Sequence, residues 1–112
     1  MTNYDSELLK GSTDCLVLSV LADAPTYGYD IIRQLRARSN GYFEFREGTL
    51  YPALHRMEKE GLIEGRWETL PNGQERRYYH LTVRGAEALE RRRTTWADFC
   101  AAVRAVLSAE PE

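Results

Sequence analysis

The apolar positions of the chain repeat with a helical period as far as residue 61 and with a period of two from 62 to 81. A helical period then returns, so the pattern predicts three helices, a hairpin and a fourth, long helix. The first helix follows Ser12, Thr13 and Asp14, whose short polar side chains suit an N-cap and first turn, and carries Leu16, Val17, Leu18, Val20 and Leu21. It is apolar nearly all round, which calls for cover on more than one side, from its own domain or from a second subunit. Asp23-Ala24-Pro25 ends it, because proline cannot continue the ladder and disfavours helix in the residue before it. A second helix spans about Tyr27 to Ser39, with Tyr27, Ile31, Ile32 and Leu35 inward and Arg33, Arg36 and Arg38 toward solvent; Asn40-Gly41 closes it. Residues 42 to 45, YFEF, have strand-like composition over a very short length.

The third helix is placed from near Thr49 to the stop at Gly61. With Thr49 as its cap, Pro52 falls at the third helical position, where the missing N–H had no partner to lose. Leu50, Ala53, Leu54 and Met57 then share one face, while Pro52, His55, Arg56 and Lys59 share the opposite one with Thr49 at its flank. In the hairpin, Ile63, Gly65, Trp67 and Thr69 alternate with polar partners, LPNG at 70–73 supplies the turn, and RRYYHL at 76–81 returns. Thr82 caps the last helix, which runs to about Ser108.

That last helix carries Ala86, Leu89, Arg93, Trp96, Cys100, Val103 and Leu107 in alternating steps of three and four, with Phe99 and Val106 adjoining. This is a coiled-coil seam interrupted by one arginine, and so short a chain has little else to cover it; a second copy is expected on the other side. The expected architecture is mainly α with a small β-hairpin, a winged helix-turn-helix over residues 1–82 followed by a dimerisation helix over 83–112. The seam places Leu89, Trp96, Cys100, Val103 and Leu107 between subunits.

With 112 residues, 43% of them apolar, the chain supports one modest core. The longest apolar run, Cys15 to Ala22, falls far short of the roughly 20 residues needed to cross a bilayer, and no charged leader with a cleavage site precedes it, so a cytoplasmic, unprocessed protein without a membrane partner is expected. Cys15 and Cys100 stand apart from each other and from histidine, which argues against a zinc site or a disulfide scaffold, and their apolar neighbours argue against redox sensing. The first few residues and SAEPE at the end read as frayed.

The net charge of -2 counts against a nucleic-acid partner, but its distribution softens the objection. From Thr26 to Gly85 there are ten Lys/Arg against eight Asp/Glu, and the acids crowd toward the two ends. Three helices followed by a two-stranded ribbon is the order of a winged helix-turn-helix, whose third helix enters the major groove. Thr49, Tyr51, His55 and Arg56 offer polar side chains near the N-terminus of that helix; Arg56 suits guanine or a phosphate, and Lys59 suits the backbone. Arg76 and Arg77, beside PNG, fit a basic wing tip, or edge protection against aggregation. No catalytic constellation is present: His55 and His80 sit in no metal-ligand or triad spacing, there is no Gly-rich phosphate loop, and no cofactor is implied.

These residues carry a family resemblance. The stretches GYDI, EGTLYPALHRMEKEGLI and RRYYHLT, within roughly residues 8 to 90, closely resemble the PadR family of transcriptional regulators. The resemblance implies a homodimeric repressor on double-stranded DNA. Recognition falls on Thr49, Tyr51, Pro52, His55 and Arg56, the wing on Asn72, Gly73, Arg76 and Arg77, and dimerisation on the terminal helix. The single short helix after the wing resembles the small members of the family, in some of which a tryptophan here stacks on planar hydrophobic compounds at the dimer centre. Two roles are therefore open to Trp96: packing in the seam, or lining an effector site with Phe99, Leu18 and Asp14. Asp14 and Asp98 would supply charge to a cation, and Arg93 would oppose one unless paired with Glu90 or Asp98. The function expected is sequence-specific repression from an inverted-repeat operator, one winged helix per half-site; the rival is a winged-helix assembly module without DNA.

Overall fold

The structure, a computed structural model, describes residues 12–108. The frayed ends expected at the first few residues and in residues 109–112 lie outside that range. Its elements are α1 (Thr13–Asp23), β1 (Thr26–Tyr27), α2 (Gly28–Arg38), α3 (Glu47–Lys59), β2 (Ile63–Thr69), β3 (Glu75–Leu81) and α4 (Val83–Leu107).

The core gathers Val17, Leu18, Val20 and Leu21 of α1 with Ile31 and Leu35 of α2, Leu50, Leu54 and Met57 of α3, Ile63 and Tyr79 of the sheet, and Ala88 and Leu89 of α4. Each fully buried Leu, Ile or Met in it contributes about 1.5–3 kcal/mol relative to an exposed one. The apolar girth of α1 is thus covered chiefly by its own chain. The inward positions of α3, Leu50, Ala53, Leu54 and Met57, are those its period predicts.

Three local expectations are corrected. The ribbon has a third strand: β1 pairs antiparallel with β3, Thr26 opposite Tyr79 and Tyr27 opposite Tyr78, giving the order β1-β3-β2. Tyr27 therefore belongs to the sheet and not to the inner face of α2, and its ring packs at 5.6 Å on Tyr78. A two-residue strand is too short to show a period of its own. Second, α3 begins two residues before Thr49, with Arg46 as N-cap; the Arg46 carbonyl accepts from Thr49 N–H (3.0 Å) and Leu50 N–H (2.9 Å). Pro52 consequently lies in the second turn, where it has no N–H to offer the Gly48 carbonyl. Third, YFEF forms no strand; it is a loop anchored by the buried Phe45, on which Phe43 stacks at 6.1 Å.

The hairpin and the terminal helix follow the sequence closely. β2 and β3 pair from Ile63 opposite Leu81 to Thr69 opposite Glu75. In the turn Gly73, at φ +89°, donates to the Leu70 carbonyl at 2.9 Å. Thr82 caps α4 by accepting from Gly85 N–H at 3.0 Å, while its own hydroxyl donates to the Gly61 carbonyl at 2.6 Å. This fixes α4 to the end of α3. Leu89, expected between subunits, is 2% exposed and belongs to the core of its own chain, because the first two turns of α4 pack on α1. Beyond Arg92 the helix leaves the body: Phe99, Cys100, Val103, Val106 and Leu107 are exposed.

Candidate nucleic-acid interface

The outer face of α3 is built by exclusion. With four positions committed to the core, Thr49, Tyr51, Pro52, His55 and Lys59 are left exposed along one side of the helix. Lys59, a cation in the last turn, also complements the helix dipole. Tyr51, His55 and Lys59 line one wall of a cleft of about 570 Å³ whose far wall is the wing, through Arg77 and Tyr79.

Tyr51 is held by a glycine. A Cβ added at Gly28, the first residue of α2, would overlap the Tyr51 hydroxyl and ring, so the bare glycine lets the phenol lie against the start of α2. Burial, then the carboxylate of Glu47, raises the Tyr51 pKa and keeps the phenol protonated. Asp30 organises the first turn of α2. Asp30 Oδ2 accepts from the Thr26 hydroxyl and from Gln34 Nε2, each at 2.7 Å, and Oδ1 accepts from Arg33. Burial alone would raise this carboxyl, but the hydrogen bonds from Gln34, Arg33 and Thr26 outweigh it and hold it below the usual aspartate value. GYDI is thus a mount for α2 and Tyr51.

The two wing arginines have different partners. Arg77 crosses β2 above Gly65, where a Cβ would sit 2.5 Å from its Nε, and donates to Glu58 Oε2 of α3 at 2.7 Å. The same Glu58 oxygen accepts from Gly65 N–H at 3.2 Å. Glu58 therefore fastens the wing to the recognition helix. Arg76 instead lies over the Tyr27 ring, its Cζ 4.2 Å from the centroid. Asn72 shapes the tip, its Oδ1 accepting from Gln74 N–H at 3.0 Å, with Gly73 beside it.

Arg56 goes elsewhere than expected. It donates to both oxygens of Asp14, at 2.5 Å and 2.9 Å, and Arg92 donates to Asp14 Oδ2 at 3.0 Å. Burial pushes the Asp14 carboxyl up, and the hydrogen bonds from Arg56 and Arg92 more than reverse that. Arg56, expected on the groove-facing side, is drawn toward α1, and Asp14, expected beside an effector, answers two guanidinium groups. Leu18, proposed as a wall of an effector site, is 0% exposed within the core and has no surface to offer. Trp96 and Phe99 do meet, edge to face at 5.6 Å, and Arg93 is paired with Glu90 at 3.1 Å.

Residues 17–91 match the model of the transcriptional regulator PadR-like family. The chain belongs to the PadR family. It is 35% identical to a PadR-like transcriptional regulator of Bacillus cereus, whose solved structure superposes with a TM-score of 0.82 over 93% of this chain and 99% of that one. The structure of a transcriptional regulator from Clostridium thermocellum gives 27% identity and a TM-score of 0.81, covering 90% and 95%. A transcriptional regulator of Mycobacterium tuberculosis is 34% identical over 73 residues, 65% of this chain and 64% of that protein. PadR proteins are transcriptional regulators, not enzymes, and membership implies DNA-binding regulation. Among the described residues no helix is long and apolar enough to cross a membrane.

Sequence reasoning missed Glu58, Gly28 and Gly65 in this PadR protein. A glycine in a strand is a signal of close backbone approach, and Gly65 carried that signal. Glu58 gave none, since its partner lies 19 residues away on another element.

Proposed function

We propose that this PadR protein is a homodimeric, sequence-specific DNA-binding repressor acting in the cytoplasm on an inverted-repeat operator. Each subunit lays α3 in a major groove and the wing along the adjacent backbone. The observation that carries the reading is the exposed row Thr49, Tyr51, Pro52, His55 and Lys59 standing beside a wing that Glu58 holds in fixed register to it. Asn72, Gly73 and Arg76 of the wing complete the contact surface, and Arg56 acts from behind by fixing α3 to α1 and α4.

The second subunit joins through α4. Trp96, Cys100, Val103 and Leu107 lie in one seam, and Phe99 and Val106 adjoin it; Leu107 is 80% exposed and Val106 77%. A stripe of this kind on a helix that has left its own core supports pairing with a like helix. Two-fold symmetry then sets the half-sites about 34 Å apart, or a multiple. The Trp96–Phe99 pair, at 5.6 Å, supports a small planar hydrophobic effector at the dimer centre, which would release DNA by favouring a different spacing of the two wings.

Selection of duplexes from a random pool, followed by mobility shifts across rising salt, tests the reading. A palindromic consensus and a steep negative log–log slope are expected. A chain that selects no sequence and shows no salt-sensitive complex would instead be a protein-assembly module.

A further inference from the structure

Beside Tyr51 a second cleft, of about 520 Å³, opens between the hairpin and the start of α2, with Trp67 and Tyr29 in its lining. Both rings are strongly exposed, Trp67 at 65% and Tyr29 at 60%. Trp67 sits on the face of β2 that further along carries Ile63 into the core, opposite Arg77, whose Cζ is 5.8 Å from the indole. It has run past the edge of the core, and the Arg77 guanidinium leaves most of it uncovered. Leaving that much indole in water forgoes a large part of what its burial would contribute, and such exposure marks a surface that another molecule covers.

We propose that this cleft seats one sugar–phosphate strand of the duplex, with Trp67 and Tyr29 packing on deoxyribose either side of it. The proposal rests on the DNA-binding reading and adds two contact residues to it. An unpaired guanidinium selects the occupant. Arg76 and Glu75 both line the cleft; Arg76 is held over Tyr27 and among the described residues no carboxylate, Glu75 included, is paired with it, whereas Arg77 is engaged by Glu58. The cleft is also continuous with the α3 face, because Tyr51 lines both. Flat amphipathic rings beside a guanidinium suit sugar and phosphate, and a contact of that kind carries no sequence information.

The test uses the full chain carrying 5-fluorotryptophan, with the Trp67 fluorine resonance identified as the one missing from W67F. Fluorescence anisotropy of labelled operator and scrambled duplexes is followed in parallel. The Trp67 resonance is expected to move as duplex binds. W67A should weaken operator and scrambled duplex alike by roughly tenfold without changing the salt slope, W67F should restore most of the loss, and Y29A should act in the same direction. If parent and W67A bind equally while the fluorine signal stays put, or if W67A weakens the operator alone, the backbone contact is refuted and the DNA reading survives. If the parent binds no duplex at any salt, the DNA reading fails and this proposal falls with it. Should W67A prove unfolded by circular dichroism, the fluorine shift decides.

Discussion

Arg56 of α3 and Asp14 of α1 form a two-pronged ion pair, with Arg56 Nη2 2.5 Å from Oδ1 and Nη1 2.9 Å from Oδ2. Because Arg92 of α4 reaches the same carboxylate, one side chain ties three helices together. Through Asp14 the helix proposed to enter the major groove is joined to the helix proposed to carry the partner subunit. A guanidinium in that position stabilises the fold before it can contact DNA.

A double-mutant cycle follows from this geometry. Asp14→Ala and Arg56→Ala should each destabilise the chain, and the pair should show a coupling of about 1 kcal/mol, since Asp14 is largely covered while Arg56 is half exposed to screening solvent. The same variants separate structural from DNA-contacting arginines. Arg76→Ala should flatten the salt dependence of duplex binding by about one unit of slope, and Arg56→Ala should leave the slope nearly unchanged.

The contact from Glu58 to Arg77 at 2.7 Å makes a second prediction. Glu58→Gln and Gly65→Ala should have matching effects by different routes, one removing the charge and the other displacing the guanidinium that lies over the glycine. Hydrogen exchange should show faster opening of β2 and β3 in both, with global stability lowered by only about 1 kcal/mol. Full unfolding by either change would place the contact in the core instead.

Acid should weaken the fold through Asp14 and Asp30. Both carboxyls sit below the ordinary aspartate value of 3.8 when folded, so the unfolded chain binds more protons just under that pH. Their contribution is complete above about pH 4 and is lost as pH falls through the lowered values. Urea midpoints measured from pH 7 to pH 3 should fall most steeply below 4. Asp30→Asn should start from a lower midpoint and show a flatter acid limb.

Much of this was legible from periodicity. The buried residues of α3, the hairpin with its turn and the cap at Thr82 follow from spacing and turn chemistry, because each depends on residues close together in the chain. What periodicity could not show were relations across the fold. β1 is two residues long and is defined only by its partner, β3. Arg56 reads as a groove contact from its helical face, yet its carboxylate stands 42 residues earlier. Leu89 continues the seam in sequence but lies where α4 is still packed on α1. A heptad pattern marks an apolar face without stating which surface covers it.

The apolar end of α4 gives a fourth prediction. Val103→Glu, at a half-exposed position of the stripe and remote from the core, should leave thermal stability of the monomer fold intact while shifting size-exclusion elution from two chains to one. Duplex affinity should drop by more than tenfold, because each remaining contact is then made by a single half-site reader.

Sedimentation of the protein with a palindromic duplex obtained by selection tests the central claim most directly. The account predicts a complex of two chains per duplex that forms cooperatively and is not populated at one chain per duplex. A stable complex of one chain per duplex, of equal affinity on a full and a half operator, would contradict it.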